Sequence, residues 1–314
     1  MVRTLKDDEP LLITVLGPTA SGKTAFAACL AHALDGEIIS ADSRQVYRGM
    51  DIGTGKDYSD YTVNGEAVPV HLIDIVDAGY KYSVYEYQRD FVKAWDDIIS
   101  RGRQPLLCGG SGMYLEAVLG AYELINVPHD QSLRKELESK SDAGLREMLA
   151  ARVKLHNVSD TSSRKRLIRA LEIALYREKE GGAGFVFPRF EPVILGIAAE
   201  RDERRRRITA RLDARLNEGL VEEVRRLLDG GLSPDDLMFY GLEYKYVTMY
   251  VKGDIPFGEM RDLLNTAIHQ FAKRQMTWFR KMERNGYKIH WIDAMMPMQE
   301  KLELAGEIIK RCRK

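Results

Sequence analysis

Gly17-Pro18-Thr19-Ala20-Ser21-Gly22-Lys23-Thr24 decides how this chain is read. An apolar run, Leu11 to Leu16, precedes it, and an Ala-rich stretch of helical character, Ala25 to Leu34, follows. Strand, glycine loop and helix, in that order, form the context that the G-x-x-x-x-G-K-[ST] phosphate-binding pattern requires. The glycines let successive backbone N–H groups turn toward one anion, and the helix N-terminus adds its positive dipole end. Lys23 puts a point charge between phosphate groups, and the Thr24 hydroxyl is suited to ligate Mg²⁺. A di- or triphosphate is therefore expected here, with the chemistry that follows left open.

Outward from the loop, short apolar runs bounded by Gly, Asp or Pro alternate with helical patterns, as in a parallel sheet built from βα units. The expected strands are Leu11–Leu16, Glu37–Ser40, His71–Ile75, Pro105–Cys108 and Pro192–Ile197, with a further one over Tyr287–Ile292. From Ala121 to Glu191 the alternation stops. Asp130 to Arg152 reads as helical, and Asp160 to Lys179 reads as an amphipathic helix with Leu167, Ala170, Leu171 and Ala174 inward. Gly181-Gly182-Ala183-Gly184 then gives a mobile return to the sheet. The fold class is α/β: a P-loop NTPase-like parallel sheet flanked by helices, residues 1–120 and 192–314, with a helical insertion at 121–191. The insertion reads as a lid over a phosphate site or as a passive decoration. The C-terminal part, Asp202 to Met282, is expected to hold two long helices and a shorter one near Leu237–Val251.

Lys+Arg and Asp+Glu both number 47, so global charge alone points to no polyanionic partner, although a local basic face remains compatible with neutrality. Cys29, Cys108 and Cys312 are far apart and form no C-x-x-C pair, which argues for a reducing cytoplasm and against zinc or a disulfide framework. Met1 to Pro10 is charged and lacks the apolar segment of a signal peptide, and no run approaches membrane-spanning length.

The second strand leads into Ala41-Asp42-Ser43-Arg44-Gln45-Val46-Tyr47. Ligands collect at the carboxyl ends of parallel strands, so Asp42 and Ser43 belong near the glycine loop. A carboxylate there holds Mg²⁺ through water, accepts a proton from a nucleophile, or simply caps a turn. The continuation Arg48-Gly49-Met50-Asp51-Ile52-Gly53-Thr54-Gly55-Lys56 suggests a loop shaped around a ligand. Gly109-Gly110-Ser111-Gly112 closes another strand and would let backbone approach a substrate, though any tight βα turn uses glycine.

In the C-terminal part, Ile208, Leu212 and Leu216 form an apolar ridge at four-residue spacing, with Arg207, Arg211 and Arg215 as a basic ridge beside it. A solvated charged face is the ordinary explanation for such a stripe. Ala272-Lys273-Arg274-Gln275-Met276-Thr277-Trp278-Phe279-Arg280-Lys281 interleaves aromatics with cations, a composition suited to stacking unpaired bases, although Trp278 and Phe279 also suit a core.

Taken together, GPTASGKT at 17–24, ADSRQVYRGMDIGTGK at 41–56, GGSGMY at 109–114, RLIRALE at 166–172, GLVEEVRRL at 219–227 and AKRQMTWFR at 272–280 resemble the tRNA dimethylallyltransferase family, in its compact bacterial form. The resemblance spans about residues 11 to 292. It implies transfer of a dimethylallyl group from dimethylallyl diphosphate to N6 of the adenine immediately 3′ of the anticodon in tRNA. Residues 17–24 would then hold a diphosphate leaving group rather than a nucleotide. Lys23, Thr24 with Mg²⁺, and Arg211 would stabilise its charge, and Asp42 matches the family's general base. Asp42, Ser43, Gln45, Arg164, Arg166, Arg169, Lys273, Arg274 and Gln275 are the expected tRNA contacts, with 121–191 gripping the anticodon stem. Gly109, Gly110, Ser111 and Gly112 form a substrate loop. A monomer is expected.

Two segments depart from the family pattern. Gly241-Leu242-Glu243-Tyr244-Lys245 alters a G-Y-[KR]-[EQ]-like segment, and Ser111-Gly112-Met113 replaces Thr-Gly-Leu. The nearest rival reading is an adenylate isopentenyltransferase acting on free nucleotides. A P-loop kinase with a helical lid and a silent tRNA-binding relative are more distant ones.

Overall fold

The computed structural model describes residues 9–128, 130–152, 163–181 and 186–313. Its elements run β1 (Leu11–Leu16), α1 (Lys23–Ala33), β2 (Gly36–Ser40), a 3₁₀ turn at Tyr58–Tyr61, β3 (Thr62–Val63), β4 (Glu66–Ala67), β5 (Val70–His71), α2 (Val84–Ser100), β6 (Gln104–Gly109) and α3 (Gly112–Leu119). Then come α4 (Gln131–Glu138), α5 (Asp142–Ala150), α6 (Arg164–Glu180), β7 (Glu191–Ala198), α7 (Arg201–Asn217) and α8 (Leu220–Asp229). The chain finishes with α9 (Pro234–Phe239), α10 (Leu242–Val251), α11 (Phe257–Arg284), β8 (Ile289–Asp293) and α12 (Met298–Cys312). No helix among the described residues is long and apolar enough to cross a membrane.

Two compact units are formed, Met1–Ala121 with Phe187–Lys314, and Tyr122–Val186. In the first, six parallel strands pair in the order β5-β2-β6-β1-β7-β8. β1 is buried along its whole length, with Leu11, Ile13 and Val15 facing one apolar cluster and Leu12 and Leu16 the other. That two-sided burial is why the strands read as continuous apolar runs rather than alternating ones. Phe26 and Leu30 of α1 and Ile308 and Ile309 of α12 cover the first face; Phe91 and Trp95 of α2 and Phe279 of α11 cover the second. With β1 in the middle of the sheet, its C-terminal loop lies between those of β6 and β7, the crevice where such sheets bind ligands.

Differences from the sequence reading have local causes. The strand expected over His71–Ile75 is only Val70–His71, because Leu72 (φ 62°) and Asp74 (φ 54°) turn the backbone left-handed. The three helices expected over 202–282 are five among the described residues, with α7 and α8 separated at Gly219 and α9 and α10 at Gly241. These helices enclose their own core, in which Ile208 and Leu212 meet Val224, Tyr244, Met260 and Leu264.

The smaller unit packs α4, α5 and α6 around Leu137, Leu145, Leu149, Leu167, Ile168 and Leu171. Asp130–Arg152 is helical as expected and forms two helices, because the Ser141 hydroxyl accepts the Gly144 N–H and starts α5 afresh. Residues 160–162 and 182–184 of the expected insertion lie outside the described residues. The expected boundary at 191 also differs, since Phe187 and Phe190 pack with Phe91 and Trp95 in the larger unit.

Candidate active site

A cavity of about 640 Å³ opens over the carboxyl ends of β1, β2 and β6. Thr19, Lys23, Thr24, Asp42, Ser43, Gly109 to Gly112 and Arg211 all line it. A second cavity of about 340 Å³ lies against the other side of the glycine loop, bounded by Ala20 to Thr24, Asp57, Asp60, Arg207 and Arg211. Lys23 and Thr24 open α1, and Lys23 and Arg211 reach both cavities. Burial pulls the Lys23 pKa down; Cys108 and Asp42 oppose the shift, and Arg211 adds to it. A partly desolvated ammonium of this kind gains most when an anion arrives beside it.

Asp42 follows β2. Its Oδ1 accepts the Arg44 N–H at 2.9 Å, the turn contact expected of an Asp in this position. Oδ2 makes no hydrogen bond among the described residues, so half of the carboxylate is left for a ligand. Ser111 Oγ accepts the Ser43 N–H at 3.0 Å, which ties the β2 loop to the β6 loop. The glycines of 109–112 line the cavity and are also approached closely by protein neighbours. A Cβ on Gly109 would stand 2.2 Å from the Ala41 carbonyl oxygen, one on Gly110 2.5 Å from Gln275 Nε2, and one on Gly112 2.4 Å from the Trp278 ring.

Several of the expected RNA contacts also make hydrogen bonds within the protein. Gln275 is buried on α11, where its Oε1 accepts the Thr19 N–H and its Nε2 donates to the Gly110 carbonyl, both at 2.9 Å. Gln45 Nε2 donates to the Gly55 carbonyl. In the smaller unit, Arg164 bonds Asp142 and the carbonyls of Glu138 and Lys140, while Arg169 bonds Glu172 and the Val127 carbonyl. Lys165, Arg166, Lys273 and Arg274 are exposed.

The loop 48–56 holds itself together more than the sequence suggests. Lys56 is buried and bonds Asp51, Asp74 and the Tyr47 carbonyl. Thr54 Oγ1 donates to the Met50 carbonyl. Glu223 of α8 accepts the N–H groups of Asp51, Ile52 and Gly53 at 2.8–2.9 Å, and Tyr244 donates a fourth hydrogen bond at 2.8 Å. Of this loop, Gly53, Thr54 and Gly55 reach the cavity wall. Gly55 (φ 71°) is required there, because a Cβ would lie 1.9 Å from Arg215 Nη2.

Arg211 bonds Asp57, and Arg215 lies behind it, buried, 4.0 Å from both Asp57 and Glu243. Burial, with Arg211 next to it, lowers the Arg215 pKa, while burial raises that of Glu243 against the pull of Arg215. The altered segment 241–245 thus supplies two groups near the site, Glu243 on the cavity wall and Tyr244 beneath the loop. Asp57, Asp60 and Tyr61 were not singled out in the sequence, and no motif spacing marks them. Burial and the neighbouring Asp57 raise the Asp60 pKa. Cys108, under the cavity, has its thiol pushed up by burial to about 12, so it stays uncharged at neutral pH.

The family model described as IPP transferase matches residues 45–282. tRNA dimethylallyltransferase 2 of Bacteroides fragilis is 56 % identical over 299 residues, covering 95 % of this chain and 98 % of the relative. tRNA dimethylallyltransferase 1 of Porphyromonas gingivalis is 55 % identical over 292 residues, covering 93 % and 97 %. Among solved structures, the full-length tRNA isopentenylpyrophosphate transferase of Bacillus halodurans is 34 % identical, with a TM-score of 0.71 and 97 % of each chain covered. Matched in sequence and fold over most of its length, the chain belongs to the tRNA dimethylallyltransferase family of prenyl-transferring enzymes.

Proposed function

We propose that the enzyme transfers a dimethylallyl group from dimethylallyl diphosphate to N6 of the adenine immediately 3′ of the anticodon in tRNA. The observation that carries this reading is the convergence of Lys23, Thr24, Asp42 and Arg211 on one cavity. The bond from N6 to the terminal allylic carbon forms as the bond from that carbon to the diphosphate oxygen breaks. The electron pair leaves with the diphosphate. Lys23 and the N–H groups of the glycine loop meet the growing charge, and Arg211 joins them by exchanging Asp57 for a phosphate oxygen. An aryl amine is a weak nucleophile but becomes strongly acidic as its nitrogen bonds to carbon, so the Asp42 carboxylate suffices to take the proton.

The donors around the second cavity are hard oxygens, the Thr24 hydroxyl with the Asp57 and Asp60 carboxylates, a set that fits Mg²⁺. No group of three or more His, Cys, Asp or Glu side chains is gathered among the described residues, so phosphate oxygens would complete such a site. Mg²⁺ bound there would supply further neutralisation of the leaving diphosphate.

Reaching the adenine means drawing it out of its stack, at a cost on the order of a few kcal/mol that an unpaired loop base keeps low. Exposed Lys273 and Arg274, and Lys165 and Arg166 of the smaller unit, suit the RNA backbone, so affinity should fall steeply with salt. The test is a transfer assay with dimethylallyl diphosphate and Mg²⁺, offering unmodified tRNA, AMP and ATP in parallel. Mass gain on the tRNA adenine alone supports the reading. Gain on a free nucleotide, or no gain at all, overturns it.

A further inference from the structure

Large apolar side chains in this protein are mostly buried, yet three exposed ones stand around the mouth of the larger cavity. Met113 is 45 % exposed, Phe239 53 % and Phe271 39 %. Two of them carry an arginine. The Arg44 guanidinium lies 5.4 Å from the Phe239 ring centroid, and the Arg274 guanidinium 5.9 Å from that of Phe271. Both arginines also line the cavity.

The two rings stand on rigid supports. Phe239 packs edge-on against Tyr240 at 5.9 Å, and buried Tyr240 accepts the Gly79 N–H at 2.6 Å. Phe271 sits on α11 one turn before Gln275, the residue bonded to the glycine loop and the β6 loop. Arg44 is held at its backbone by Asp42. Arg44 is thereby tied at its backbone to the group that would take the proton, and Phe271 stands on the helix that carries Gln275 to the glycine loop.

A half-exposed ring backed by a guanidinium presents a flat, polarisable surface beside a positive charge. The complement is a flat π-system attached to an anion, which describes an unpaired nucleotide. Exposed Lys245 adds positive charge around the same opening. A prenyl chain would gain nothing from Arg44, Arg274 and Lys245.

We propose that Phe239 and Phe271 are stacking platforms for the two unpaired bases that flank the reacting adenine, one base on each ring, with Arg44 and Arg274 meeting the adjoining phosphates. This rests on the reading of an RNA adenine as acceptor. The two platforms would splay the strand at the cavity mouth and so hold the central base pointing inward.

The experiment is a double-mutant cycle on the full chain. Binding of an anticodon stem-loop RNA is measured for the parent, Phe239→Ala and Phe271→Ala, with the flanking base on either side of the adenine intact or abasic. Each alanine variant should weaken the intact RNA by roughly 5- to 150-fold, the range for loss of one stacked base. Against the RNA that lacks its own partner base, the loss should shrink to less than about twofold, and the two variants should couple to opposite flanking positions. Phe239→Tyr and Phe271→Tyr should restore binding, and affinity for inorganic diphosphate should be unchanged throughout. Losses that add fully across the cycle, or coupling of both rings to one base, overturn the inference. A parent that binds the stem-loop but modifies only free nucleotides would instead overturn the function reading.

Discussion

Replacing Gln275 by Leu keeps the volume of the side chain and removes the two hydrogen bonds that join α11 to the glycine loop and the β6 loop. The Gly110 carbonyl is buried at that contact, so leaving it unpaired costs about 1–3 kcal/mol. The Thr19 N–H is only part-buried, and water would recover some of its loss. We therefore expect Gln275→Leu to lower unfolding free energy by about 2–3 kcal/mol, read from urea denaturation. Thr19 belongs to the loop proposed to receive the diphosphate, so part of the damage should appear as lost order in that loop. If about 1–2 kcal/mol falls there, calorimetric titration with diphosphate and Mg²⁺ should show roughly 5- to 30-fold weaker binding. Gln275→Glu provides the internal control. It keeps the acceptor for Thr19 but turns a carboxylate oxygen toward the Gly110 carbonyl, so its loss should equal or exceed that of the Leu variant. A Leu variant with parental stability and diphosphate affinity within twofold of the parent would refute the reasoning and return Gln275 to the RNA-contacting role.

Asp42→Asn should reduce transfer by about two to four powers of ten while diphosphate binding stays within a few-fold, and equal losses in both would remove Asp42 from proton transfer. Glu223→Gln replaces one oxygen that accepts backbone N–H groups with a donor, and should cost about 1–3 kcal/mol of stability by denaturant titration; a neutral result would mean that water fills the gap. The Glu37 side chain is only 4 % exposed; burial pushes its pKa up, but hydrogen bonds with His71 and Arg101 outweigh this and leave it below the ordinary carboxylate value. Its stabilisation is therefore present above the unfolded-state pKa and is lost as pH falls through the lower folded one. Glu37→Gln should flatten the acid limb of stability against pH, and parallel limbs for parent and variant would contradict this.

What the sequence revealed was whatever rests on neighbours close along the chain. β1 spans Leu11–Leu16 as read, because both faces of a central strand are apolar, and the glycine loop follows it directly. Asp42 lies on the cavity wall because carboxyl ends of parallel strands converge there. What the sequence did not reveal were internal partners far away along the chain. Gln275, expected as an RNA contact in a basic run, accepts the N–H of Thr19, 256 residues distant. In the loop expected to shape itself around a ligand, Lys56 is turned inward to Asp51, Asp74 and the Tyr47 carbonyl, while Thr54 lines the cavity and bonds the Met50 carbonyl. Arg164 and Arg169 carried the right charge for RNA but hold helix ends and the buried Glu172. Asp57, Asp60 and Phe239 carry no spacing signal, and only the packed helices bring them to the two cavities.

The carboxylate of Glu223 in the backbone of residues 51–53 has a consequence for selectivity. Consecutive N–H groups aimed at one point make an anion trap, open to any free anion unless the protein fills it. Here the chain plugs that trap with an anion of its own, locked by the Tyr244 hydroxyl. An anion arriving from solvent therefore finds these three N–H groups already satisfied, and the chain keeps this nest for itself.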